Sequence, residues 1–309
     1  MATLLFTHPI CAEHEPGANH PERPDRLRAV QAALDADAFA GLERRQAPQA
    51  EVAAIEGVHE ARYVEDVFES VPGSGHVHLD PDTALSPASG EAALRAAGAA
   101  SAAVDAVLNG EAKNAFCAVR PPGHHAEFSR AMGFCLFNNV AVAAQRAQTK
   151  HGLERVAIAD FDVHHGNGSQ NFVDRHRDLF FASSHQFPCY PGTGAESERG
   201  DHENLVNVEL PPGSGSDVFR ARYRERILPE LRTFAPDLLV ISAGFDAHAR
   251  DPLAQINLGD DDFEWVTREL LDIAEDTCEG RVISSLEGGY DLDALAASVP
   301  AHVRVLMAA

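Results

Sequence analysis

The feature that most constrains this chain is a recurring alternation. Short apolar runs, rich in β-branched and aromatic residues, alternate with longer stretches of helical spacing. The runs fall at Thr3–Phe6, Ala115–Val119, Val156–Phe161, Leu179–Ser183, Leu238–Ser242 and Val282–Leu286. Helical periodicity covers Arg23–Leu34, Pro87–Leu108, Asn138–Lys150, Asp217–Phe234, Asp261–Ala274 and Leu292–Met307. Strands alternating with helices imply βαβ units and a mainly parallel sheet. Runs such as VAIADF and LLVISA are apolar at successive positions, so both sheet faces need cover from helices. Gly and Pro clusters at 72–75, 191–194 and 211–215 read as turns, because none has the context of a dinucleotide or phosphate loop. No repeat, low-complexity tract or linker interrupts the pattern. The expectation is one α/β domain over residues 1–309: a single open, mainly parallel sheet with helices on both faces. Its active site is expected at the C-terminal ends of the strands.

Chemistry-bearing residues stand where such a fold would gather them. His124 and His125 lie in PPGHHA, Asp160, Asp162 and His164 in ADFDVHHGNG, Asp246 in SAGFD, and Tyr290 in EGGY. Asp160, Asp162 and His164 are spaced by two, so an extended segment projects them to one side. Asp246 ends another strand and can reach the same point. Two aspartates and a histidine leave coordination positions open, as a catalytic metal site requires. Zinc held by Asp162, His164 and Asp246 is the preferred assignment, and iron(II) or cobalt suits the same ligands. The adjacent histidine pair supplies proton transfer. Tyr290 follows two glycines that permit a tight turn, which favours a positioned side chain. Together these residues point to metal-assisted hydrolysis.

The net charge of −22, from 47 acidic and 25 basic residues, argues against nucleic acid as a direct ligand. It is compatible with a cationic substrate, such as a lysine-rich segment or a polyamine. Five scattered cysteines without a CxxC pair suggest reduced thiols and a cytoplasmic setting, with Cys117 and Cys135 in the core. No signal peptide and no run of about 20 apolar residues is present, so no membrane partner is expected. Among the histidines, His14, His20, His76, His78, His151, His176, His202, His248 and His302 are expected on the surface or at caps. His185 is expected to be structural, and Arg26 to reach the floor of the site or form an ordinary ion pair.

RPPGHHA, MGFCLFNN, DFDVHHGNG, YPGTG, SAGFDAH and LEGGY occur in this order, between HPERPDRL at 20–27 and LEGGYDLDAL at 286–295. In these motifs the chain resembles the histone deacetylase and acetylpolyamine amidohydrolase family of the arginase/deacetylase superfamily, in particular its class II-like bacterial members. The resemblance implies zinc on Asp162, His164 and Asp246. It implies His125 as general base and then acid, His124 as an electrostatic helper held by Asp160, and Tyr290 as a donor to the substrate carbonyl. Asn167 stands beside His125 where class I members carry Asp, and Glu287 precedes the glycine pair as in class II members. Gly133, Phe134 and Tyr190 would line a narrow channel, with Asp82 gripping substrate at the rim. A structural potassium ion would lie among Asp160, Asp162, His164, Ser183 and Ser184.

For substrate, the implied reaction is removal of acetyl or another short acyl group from lysine in proteins or peptides. Acetylated polyamine is the alternative. Leu253 occupies the place where polyamine-selective relatives carry an acidic residue, which leans toward acyl-lysine. Glu127 and Glu196 are candidates for an acidic rim that would lean the other way. An arginase-like dimanganese enzyme would need more carboxylates, and a non-catalytic acyl-lysine reader would need neither His125 nor Tyr290. Oligomeric state does not follow from the sequence.

Overall fold

Central strands with no polar stripe must be covered on both faces, and in this chain they are. The computed structural model describes residues 2–309. Its main sheet runs, from one edge, β2 (Glu43–Gln46), β1 (Leu4–Thr7), β5 (Asn114–Cys117), β10 (Val282–Leu286), β9 (Leu238–Ala243), β6 (Val156–Asp160), β7 (Leu179–Gln186) and β8 (Leu205–Leu210). Every pairing in it is parallel. Every residue of β5, β10, β9, β6 and β7 is buried. A small antiparallel pair, β3 (Val77–Asp80) and β4 (Thr83–Leu85), stands apart from this sheet.

Helices α1 (Pro24–Leu34), α2 (Val52–Glu56), α3 (Ala61–Glu69), α4 (Ser89–Leu108) and α5 (Asn139–His151) precede β6. After it come α6 (Asn167–Val173), α7 (Ser216–Arg222), α8 (Leu228–Phe234), α9 (Asp260–Cys278) and α10 (Leu292–Ala308). One layer is α4 and α5, packed on each other and on β5, β10, β6 and β9. The other is α9 and α10, which pack together and carry α1 and α8. The start of α5 is set by Asn138, whose side chain accepts from the Ala141 amide at 3.0 Å. Its end is set by Gly152 at φ 70°, with Lys150 and His151 in the last turn. Asp105 of α4 ties the two helices by bonding Arg146, Lys150 and His151 of α5.

All six apolar runs form strands. Two strands of the main sheet carried no such signal. β2 reads Glu-Arg-Arg-Gln, because an edge strand pairs through its backbone and leaves its side chains to water. β8 is interrupted by Asn207 and Glu209. The helix expected over Asp217–Phe234 is α7 and α8 joined by a π-helical segment, Tyr223–Ile227; just beyond it, Pro229 in the first turn of α8 has no N–H to continue the ladder. His14 and His302 are not surface residues. His14 is buried between Ser89 and Glu22, and His302 is buried between Thr267 and Ser284.

Candidate active site

Four neighbouring strands at the middle of the sheet, β5, β10, β9 and β6, each lead into one of the four motifs. Their C-terminal ends lie side by side, which brings distant sequence positions to one place. Asp160 closes β6 in register with Ser183 of β7 and Ser242 of β9. Asp162 and His164 follow it, Asp246 lies three residues past β9, and Tyr290 four past β10.

One donor atom each from Asp162, His164 and Asp246 lies within 4.8 Å of the others, and all three residues are buried. His164 Nδ1 stands 3.2 Å from Asp162 Oδ1 and 3.0 Å from Asp246 Oδ2. Backbone amides orient the carboxylates: Gly288 N–H donates to Asp162 Oδ2 at 2.8 Å, and Val163 N–H to Asp246 Oδ1 at 2.8 Å. Among the described residues no Lys or Arg pairs with either carboxylate, and only histidines share their charge. Burial and the charge of Asp162 together raise the Asp246 pKa. Two buried acids and one imidazole with no fixed cation fit a divalent metal ion.

The two histidines of the pair, with ring centroids 4.0 Å apart, have unlike partners. His124 Nδ1 meets the Asp160 carboxylate at 3.0 Å. Burial lowers its pKa, but the charges of Asp162 and Asp160 outweigh this and raise it. His125 Nδ1 meets the neutral Asn167 Oδ1 at 2.8 Å. Burial and the neighbouring charge of His124 hold its pKa well below the usual value. The unlike partners therefore push the two pKa values apart, that of His124 upward and that of His125 downward.

A cavity of about 210 Å³ leads to this point. Phe134, Tyr190, Leu253 and Tyr290 line it, together with His125, His164, Asp82 and Gly133. Tyr190 and Leu253 are 38% and 37% exposed, whereas His125 and His164 are buried, so the aromatic walls run inward to the histidines. Phe134 sits at φ 69° and stands edge-on to Tyr290 at 5.8 Å. Asp82 Oδ1 accepts from the Gly133 amide at 3.1 Å, and Thr83 Oγ1 accepts from the Phe134 amide at 3.0 Å.

Ser183 and Ser184 lie in β7, where Ser183 Oγ contacts His185 Nδ1 and Ser184 Oγ contacts the Tyr223 hydroxyl. Glu127 and Glu196 do not form an acidic rim. Glu127 accepts from Asn167, and Glu196 is paired with Arg222 and Arg226. Arg26 reaches the site as the sequence suggested, but sequence reasoning missed most of the buried clamp it belongs to. Glu22 bonds both Arg26 and Arg120, and Arg26 donates to the carbonyls of Glu287 and Gly289 and covers the Tyr290 ring. Glu287 Oε2 accepts from the Gly123 and His124 amides at 2.6 and 3.1 Å. Asp251 accepts from the amides of both Tyr290 and Leu253. The i, i+4 spacing of Glu22 and Arg26 was a usable signal. Nothing local marks Asp251.

A parallel α/β sheet with a buried acid–histidine donor set, a histidine pair with unlike partners and an aromatic-walled cavity suits hydrolytic chemistry. The Histone deacetylase domain family matches residues 20–306. The chain is 44% identical to the histone deacetylase-like amidohydrolase of Pseudomonas aeruginosa, over 88% of this chain and 73% of that protein. It is 37% identical to a probable deacetylase of Archaeoglobus fulgidus, over 95% of this chain and 82% of the other. The crystal structure of the HDA15 HD domain superposes with a TM-score of 0.94 at 34% identity, covering 99% of this chain and 88% of that one. The chain belongs to the histone deacetylase family and is a hydrolytic deacetylase.

Proposed function

We propose that this protein is a zinc-dependent amidohydrolase that removes acetyl or other short acyl groups from lysine side chains in peptides or proteins. A single catalytic domain over residues 1–309 is part of this reading. The observation that carries it is the cavity, whose aromatic walls match an unbranched alkyl stem and whose buried end holds the histidine pair beside the donor set. A divalent ion on Asp162, His164 and Asp246 would supply a Lewis acid for the amide carbonyl and lower the pKa of water. Iron(II) or cobalt fits the same donors.

His125, neutral and backed by Asn167, takes the proton of the attacking water and then returns it to the departing amine. His124, cationic against Asp160, stabilises the negative charge that develops beside it. Tyr290 donates to the carbonyl oxygen, its backbone held by Asp251 and its ring by Arg26. Phe134 and Tyr190 exclude water from the stem, and Asp82 grips the substrate backbone at the mouth. A potassium ion is assigned to Asp160, Asp162, His164, Ser183 and Ser184, and the pairing of Asp160 with Ser183 at the strand ends supports it. A cytoplasmic location fits the five free cysteines, four of them buried; no described helix is long and apolar enough to cross a membrane.

The second reading is an acetylpolyamine deacetylase with the same steps. Asp80 and Asp82 near the mouth favour it, although Arg130 pairs with Asp80. Leu253, apolar and at the cavity, favours the peptide. Turnover of acetyl-lysine peptides and N-acetylpolyamines by zinc-loaded enzyme, with Tyr290→Phe and Asp246→Ala as controls, separates the two. Peptide turnover lost in both controls supports the proposal; preference for polyamines overturns the substrate assignment.

A further inference from the structure

We propose that Glu127 is a positioning residue: it sets which way the Asn167 amide faces and, through it, which ring nitrogen of His125 carries the proton. The inference rests on the reading of His125 as the acid–base residue. The two ends of an Asn amide are nearly alike in shape but opposite in hydrogen bonding, so neighbours decide the orientation. One end of the Asn167 amide meets Glu127 Oε1 at 2.8 Å, the His125 carbonyl at 3.4 Å and Met132 Sδ at 3.3 Å. A carboxylate, a carbonyl and a thioether can all accept, and none can donate. The NH2 group must therefore face them, which turns Asn167 Oδ1 toward His125 Nδ1 at 2.8 Å.

An amide oxygen cannot donate, so His125 Nδ1 carries hydrogen and its Nε2 keeps the lone pair that a general base needs. Glu127 supplies the one charged acceptor in this set, and such bonds are roughly twice as strong as neutral ones. Glu127 is itself anchored. His59 Nε2 accepts from the Asn138 amide, so His59 Nδ1 donates to the Glu127 carbonyl at 2.8 Å. The Glu127 amide also donates to the Arg130 carbonyl at 3.0 Å.

The test compares Glu127→Leu in two backgrounds. With Asn167 present, loss of the acceptor frees the amide to flip, and kcat should fall about 10–100-fold with KM little changed. Glu127→Gln, which keeps an acceptor, should lose less. With Asn167→Asp the partner has no nitrogen end to orient, and Glu127 instead faces a like charge. There Glu127→Leu should raise kcat above that of Asn167→Asp alone. In 15N-histidine-labelled, zinc-loaded protein without substrate, Glu127→Leu should move His125 from its Nδ1–H toward its Nε2–H tautomer. Equal losses in both backgrounds, or an unchanged tautomer, would overturn the proposal. The tautomer is read without turnover, so an error in the substrate or reaction assigned above is distinguishable from an error about Glu127.

Discussion

At the scale of single residues, the site works by giving identical side chains unlike neighbours. A carboxylate behind His124 and an amide behind His125 move the pKa values of one histidine pair in opposite directions. Replacing Asn167 by Asp puts a negative charge beside His125 and raises its pKa. If His125 is the base as proposed, it must be neutral to act, so the acidic limb of the pH profile of kcat/KM should move to higher pH in Asn167→Asp. An unmoved limb would show that the Asn167 contact does not tune this base. On the proposed mechanism, Tyr290→Phe removes one donor to the developing charge. It should lower kcat about 100–1000-fold, the usual cost of such a donor. Steady-state kinetics should show KM nearly unchanged, and a loss confined to KM would contradict the assigned role. His124, His125, Asp160 and Tyr290 were readable as candidates because each lies within a few residues of an apolar run, whereas Asn167 opens α6 and was reached only through the resemblance.

At the scale of elements, the strand ends matter through their glycines. A Cβ on Gly288 would lie 2.2 Å from Asp246 Oδ2 and 2.6 Å from Asp162 Oδ2. The turn after β10 can thus press against both carboxylates only without a side chain. Gly288→Ala should weaken divalent metal binding about 10–100-fold, as disturbed ligand orientation does elsewhere. Competition with a chelator measures this; an unaltered affinity would mean that the turn yields freely. Element type was readable where one residue class dominated, as in β9 and β6. It was hidden in β2, whose Glu-Arg-Arg-Gln side chains face water while its backbone pairs with β1. Short α6 was hidden too, because its seven residues give too few turns for a period to register.

At the scale of the whole molecule, a buried charge network joins segments far apart in the chain. Glu22, fully buried, lies between Arg26 and Arg120 and accepts from both. Burial raises its pKa, but the two guanidinium groups outweigh this and bring it down to about 2. Its stabilising contribution is therefore present above the ordinary Glu value of about 4.3. That contribution is lost as pH falls toward about 2. Glu22→Gln strands two buried cations and should cost about 3–5 kcal/mol, the range for breaking a buried pair. Urea unfolding at neutral pH measures the loss, and the difference from wild type should shrink in acid. A cost that does not change with pH would exclude the ion pairs as its source. The sequence by itself determined the strand–helix alternation, the parallel sheet and the identity of the residues at the strand ends. Periodicity and residue type are local properties, and each motif sits within a few residues of its strand. Only the tertiary structure decided that β5, β10, β9 and β6 are neighbours. Only it revealed that Glu127 holds Asn167, that Asp251 holds Tyr290, and that Arg26 and Arg120 share one carboxylate. Those pairings depend on how the chain crosses over the sheet, and no local pattern records which distant residue fills a buried valence.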